Sequence, residues 1–190
     1  MKTAHAADSG AFNPYATPRA AVRDETGAGA QAIFFPVSLL KLSLLSVTML
    51  GLYQVYWFYK NWKCVQRNYG DNVNAPIRAI FYPLVAYTLF KRVREHTEKA
   101  GLVTALPVGA LAIVLFLFGM TWRLPDPYWF IGFAGFLPLV PVQAAVNELN
   151  RKLAPHADEN ASFSGWNIAG MVFGTLILLL ALVGTFLPAE

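Results

Sequence analysis

Apolar residues fall along this chain in long blocks, not in the short alternations of a half-buried sheet. Four blocks are long enough to cross a bilayer as helices: residues 37–59, 102–122, 128–146 and 166–187. At 1.5 Å per residue each reaches roughly 28–35 Å, against about 30 Å of hydrocarbon. The first block is apolar and uncharged in its centre. It then gathers Tyr53, Tyr56, Trp57, Tyr59 and Trp62, with Lys60 among them and Lys63 at the end. This pattern predicts a helix leaving the bilayer through five aromatic interface anchors onto a basic surface. Lys41, near the other end, is placed to snorkel. Pro125 and Pro127 open the third block, and Pro138 and Pro141 interrupt it. Each proline removes a backbone donor, which predicts either a static bend or a hinge at Pro138 and Pro141.

A shorter fifth block, residues 75–90, meets Lys91, Arg92 and Arg94 and is bent by Pro83. Its roughly 22 Å falls short of a span, so an interfacial or partly re-entrant helix over about 76–97 is expected, with a fifth crossing as the alternative. Gly51, Gly170 and Gly174 offer flat helix surfaces for close packing or partner contact, the last two as a GxxxG. Residues 1–32 hold Ala, Gly and balanced charges without an apolar core. They read as a disordered tail preceding one membrane domain, 33–190.

Composition reinforces this. The chain is 56% hydrophobic and 14% charged, where a soluble domain carries about 25% charge. Its net charge of +4 suits anionic lipid rather than nucleic acid, because the basic residues sit beside apolar spans. Ten of the fifteen Lys and Arg residues lie in residues 60–101 and 147–165. The positive-inside bias puts those two loops in the cytoplasm and both termini outside. Lys60, Lys63, Lys91, Arg92 and Arg94 are the candidates for anionic lipid contact or for setting topology.

Little catalytic chemistry is legible. No P-loop, nucleophile elbow, zinc-protease or dinucleotide motif occurs, and a single cysteine, Cys64, allows no internal disulfide. His5, His96 and His156 are scattered. No acidic residue lies inside the four blocks, whereas ion-coupled carriers place such groups in the membrane. The polar side chains there, among them Ser46, Gln54 and Gln143, suit helix packing. Asn160 heads a glycosylation sequon in a loop expected to be cytoplasmic. No catalytic residue, cofactor or metal is predicted.

The run Leu50, Gly51, Leu52, Tyr53, Gln54, Val55, Tyr56, Trp57, Phe58, Tyr59, Lys60 resembles the first helix of small bacterial membrane proteins grouped as domain of unknown function 4234. Their pattern has Thr where this chain has Met49. The likeness covers about 15–25 residues and implies a bacterial inner membrane, with no activity to carry over. Together these readings predict an all-α polytopic bundle with four transmembrane helices and one interfacial helix. The expected role is non-enzymatic: an accessory or assembly subunit binding another membrane protein or itself. A small permease or channel subunit and an immunity-type membrane protein are the alternatives.

Overall fold

The computed structural model describes residues 31–103 and 105–186. Among them the chain is all helical, without strands. The α-helices are α1 (Leu39–Thr48), α2 (Leu52–Tyr69), α3 (Ala75–Ile80), α4 (Tyr82–Lys99), α5 (Val108–Thr121), α6 (Leu139–Leu153) and α7 (Gly165–Phe186). A 3₁₀ helix, Tyr128–Phe136, leads into α6. Residues 1–30, most of the expected tail, lie outside the described residues.

The expected single helix over 37–59 is instead two helices folded back on each other. Leu50 and Gly51 both adopt left-handed backbone, with φ of 54° and 81°. The Leu50 N–H donates to the Val47 carbonyl at 3.1 Å and the Gly51 N–H to the Ser46 carbonyl at 2.9 Å, a Schellman ending for α1. Gly51 has no Cβ to oppose its positive φ, and it also starts α2. The chain then returns. Phe35 and Tyr56 stack edge to face at 5.8 Å, and the Phe35 N–H donates to Asn61 Oδ1 at 3.2 Å. Both ends of the expected span therefore lie at one end of the bundle.

Two more hairpins share this plan. α3 and α4 meet at Phe81, with Pro83 in the first turn of α4, where its missing N–H costs nothing. α5 and the 3₁₀ helix run antiparallel: Gly132 faces Trp122 and Gly135 faces Phe118. The first two apices pack against the arms of the third hairpin. Gly51 lies against Trp122, Gly135 against Gln54, and Gly119 against Pro83. The Tyr82 hydroxyl donates to Gln54 Oε1 at 3.1 Å. The opposite end collects the strap described below, the ends of α2 and α4, and the α6–α7 loop. His96 meets Tyr69 at 4.7 Å there, and Lys152 Nζ donates to the Ala100 carbonyl at 2.5 Å.

The core runs between these hairpins. Trp57, Phe58, Trp62, Phe90, Leu89, Leu115, Leu139 and Leu149 are fully enclosed. α6 buries Leu139, Val142, Val146 and Leu149, spaced three and four residues apart on one helical face. It also runs to Leu153, so Asn147, Glu148 and Asn150 belong to a helix and not to the expected loop. Pro138 and Pro141 sit at the cap and first turn of α6. There they interrupt no interior hydrogen bond.

α7 stands apart. It packs on the body chiefly through α1. Lys41 and Asn167 line one pocket, and Gly174 abuts Thr48, so α1 and α7 run parallel. α7 continues twelve residues beyond Gly174, about 18 Å, and almost none of its length is buried. Tyr128–Leu153 and Gly165–Thr185 are the two helical stretches long and apolar enough to cross a membrane.

The GxxxG makes the α1 contact. A Cβ on Gly170 would meet Met49 Cε at 3.1 Å, and one on Gly174 would lie 1.9 Å from the Thr48 carbonyl oxygen. Gly174→Ala should therefore displace α7 and cost about 1–3 kcal/mol by overpacking. Gly184→Ala, where a methyl meets nothing within 4 Å, should leave stability unchanged. Thermal unfolding of the two variants in detergent checks the difference.

Candidate functional site

The most elaborate polar construction in the molecule holds a non-helical segment, residues 32–37, bent at Ile33 and Phe34, in the groove between α2 and α6. Such a segment has no internal hydrogen bonds, so its buried polar groups need outside partners. Side chains supply them in register. The Ala32 carbonyl accepts from Arg67 Nη2 at 2.8 Å and from Asn68 Nδ2 at 3.3 Å. The Ile33 carbonyl accepts from Asn68 Nδ2 at 2.8 Å, and the Phe34 carbonyl from Asn150 Nδ2 at 2.9 Å. The Phe35 carbonyl accepts from Gln143 Nε2 at 3.2 Å, that of Pro36 from Asn160 Nδ2 at 3.1 Å, and that of Val37 from Asn147 Nδ2 at 2.9 Å. Six consecutive carbonyls are thus each bound by a side chain.

The donors are met as well. Asn150 Oδ1 accepts from the N–H groups of Ile33 at 2.9 Å and Phe34 at 3.3 Å. Two successive N–H groups converge on this one oxygen because the chain bends at Ile33 and Phe34. Asn61 is fixed by donating to the Trp57 carbonyl at 3.0 Å. Gln143 Oε1 accepts from Trp57 Nε1 at 2.5 Å, and its Nε2 also donates to Asn147 Oδ1 at 2.7 Å. Phe34 and Val37 are fully buried and Phe35 nearly so, which ties the strap into the core.

Lys41 locks the next turn. Its side chain is buried rather than snorkelling. Its ammonium donates to Asn160 Oδ1 and the Ser162 carbonyl, both at 2.7 Å. Both polar atoms of the Asn160 amide are thereby engaged, one by Lys41 and one by Pro36, which opposes glycosylation at the sequon.

Two clefts flank the strap. One, of about 300 Å³, is lined by Pro36, Asn147, Asn150, Arg151, Asp158 and Glu159 among others. The other, of about 410 Å³, is lined by Phe35, Lys60, Cys64, Arg67, His156 and Asp158 among others. Burial pushes the Cys64 thiol up, against the opposing pull of Arg67 and Lys60, so it is a poor nucleophile at neutral pH. Among the described residues no three His, Cys, Asp or Glu side chains are grouped to hold a metal.

The five expected interface anchors separate. Tyr53, Trp57 and Trp62 lie inside the core, Tyr59 is partly covered, and Tyr56 is exposed. Trp57 is enclosed because its indole N–H serves Gln143 in the strap network. The basic candidates separate too. Lys91 pairs with Glu95 at 3.8 Å, Arg92 with Asp71 at 2.5 Å, and Arg94 with Glu98 at 3.5 Å. Lys60 lies over the rings of Phe35 and Tyr56, and Lys63 over Tyr59.

Sequence reasoning passed over Asn61, Asn68, Asn147 and Asn150 as strap ligands. One signal was available: Gln143, Asn147 and Asn150 follow i, i+4, i+7 spacing, a polar stripe on one face of a helix whose apolar residues have the same period. No family model, curated protein or solved structure matches this chain.

Removing the Asn150 amide would leave two N–H groups and one carbonyl without partners, at about 1–3 kcal/mol each. Asn150→Ala should cost about 3 kcal/mol, with hydrogen exchange at the Ile33 and Phe34 amides accelerated before global unfolding. Unchanged protection at those two amides would show that the clamp does not hold the strap.

Proposed function

We propose that this is a non-enzymatic protein of the bacterial cytoplasmic membrane, an accessory or assembly subunit that associates with another membrane protein or with itself. The observation that carries this reading is α7: an apolar helix of 22 residues, exposed nearly all round and attached along one edge. Such a surface is stable only against lipid or another apolar helix. Many of the polar side chains at depth are instead engaged in holding the chain. Gln143 and Gln54, the glutamines at depth, bond to Trp57 and Tyr82 and line no polar path. The resemblance of residues 50–60 to uncharacterised bacterial membrane proteins supports the same location.

The fold also suggests how the chain enters the bilayer. α1 spans only about 15 Å and returns, and α3 is shorter still. These two hairpins would dip into the membrane from one face. The third hairpin is different. Tyr128–Leu153 reaches about 40 Å as nine 3₁₀ and then mainly α-helical residues. Its apical loop carries Arg123 and Asp126 among Trp122, Tyr128 and Trp129, a composition suited to a headgroup layer. The proposed topology is therefore three crossings, by α5 together with the residues flanking it, which extend its roughly 21 Å, by the 3₁₀ helix with α6, and by α7. Gln31, residues 60–74 and 91–101 and loop 154–164 then share the cytoplasmic face, and the far end of α7 lies opposite.

In a Cys64→Ala background, Ala32→Cys and Glu159→Cys should react with an impermeant maleimide from the same membrane face, and Asp126→Cys from the other. Labelling of Ala32→Cys from the face opposite Glu159→Cys would restore a crossing by residues 37–59. Extraction in mild detergent should co-purify a stoichiometric membrane protein or yield an oligomer of the chain. Recovery as a partnerless monomer would sink the accessory role.

A further inference from the structure

Two groups of cations on adjoining helices differ in how they are paired. On α4, Lys91, Arg92 and Arg94 each have a carboxylate within 4 Å. On the adjoining α2 and α3, Lys60, Lys63 and Arg78 have none among the described residues. Aromatic rings lie beneath them instead: the Lys60 ammonium is 5.5 Å from the Phe35 ring centre, Lys63 is 6.0 Å from that of Tyr59, and the Arg78 guanidinium is 4.4 Å from that of Trp62. The rings fix the positions of these charges without cancelling them.

The same face continues toward the hairpin apices as exposed hydrocarbon. Leu52, Tyr56, Ile77, Ile80, Phe81 and Leu84 are all roughly half exposed or more. Apolar side chains thus give way to cations part-way down α2, at Lys60, and again within α3, at Arg78. A phospholipid presents the complementary order, with acyl chains against the apolar part and its phosphate against the cations. The unbalanced charge selects an anionic headgroup over a zwitterionic one.

We infer that the α2–α3 face, through Lys60, Lys63 and Arg78, is a binding surface for anionic phospholipid, and that the paired α4 cations are not part of it. This rests on the membrane location proposed above and adds a lipid class and a set of residues. Each unpaired cation near the surface contributes about five-fold in preference for anionic lipid.

The test uses the full chain in nanodiscs of equal phosphatidylglycerol and phosphatidylcholine, gently re-extracted, with retained lipids counted by mass spectrometry. The unaltered protein should retain phosphatidylglycerol at least five-fold over phosphatidylcholine. K60Q/K63Q/R78Q should bring the ratio close to one, and K91Q/R92Q/R94Q should leave it unchanged. No enrichment in the unaltered protein, or equal loss in both triple variants, would overturn the assignment. If the first triple variant loses its circular dichroism signal, Lys63→Gln alone, at an exposed position, should still lower the ratio, and an unchanged ratio overturns the assignment equally. The measurement needs no partner protein, so it can fail while the accessory role stands. Conversely, a partnerless chain can still show the lipid preference.

Discussion

Burying a non-helical segment between helices sets a constraint that much of this structure answers. Residues 32–37 carry six carbonyls into a groove without a strand beside them. Left bare, each buried one would cost about 1–3 kcal/mol, so a few together would offset the stability of a small domain. The chain meets the demand with Asn61, Arg67 and Asn68 from α2, Gln143, Asn147 and Asn150 from α6, and Asn160 from the following loop. Because these ligands come from both walls, the strap fixes the separation and register of α2 and α6. Because α1 begins directly after Val37 and Ser38, the strap also sets where α1 starts, and Lys41 anchors its first turn to residues 160–162.

The hairpin apices face the same requirement in different surroundings. Near a bilayer, a turn that needed water for its N–H groups would be costly. The α1–α2 turn satisfies its donors from its own backbone: Met49 to Leu45, Leu50 to Val47, Gly51 to Ser46 and Leu52 to Met49. A four-residue turn can therefore lie among apolar neighbours. The third apex is built otherwise, with Trp129 Nε1 donating to Asp126 Oδ1 at 2.6 Å amid a cluster of aromatic rings. It carries charge where the first two carry none. That contrast is the physical ground for reading two hairpins as dipping and one as crossing.

What the sequence makes legible follows from locality. The all-helical class, α7 and most of α5 are written in contiguous apolar runs. The break near Pro83 and the close approach at Gly170 and Gly174 are carried by residues with one dominant use. The turn at Leu50 and Gly51 is hidden because both arms are apolar or aromatic, so the join reads as one long span. Leucine in left-handed backbone gives no warning of a turn. The strap is hidden for another reason: Asn150 lies 116 residues from Phe34, and an asparagine near the end of an apolar helix reads as the start of a polar loop. Trp57 and Trp62 mislead because an aromatic cluster before lysines fits both an interfacial belt and a core. Only the partner of the Trp57 indole, Gln143, separates the two.

These features bear on one another at the waist of the molecule. With Trp57 and Trp62 turned inward, the outward face of α2 is left to Tyr56, Tyr59, Lys60 and Lys63, and that of α3 to Ile77, Ile80 and Arg78. Had the first block been a straight span, its basic end would mark the exit of a helix and nothing more. Folded back, the same residues lie beside the strap and below a dry turn, so their charges sit at the rim of an apolar surface. α4 presents Lys91, Arg92 and Arg94 to Glu95, Asp71 and Glu98, which weakens their field. The unpaired cations of α2 and α3 thus give the first two hairpins a definite depth: apices among acyl chains, rings and cations at the headgroups, strap in water.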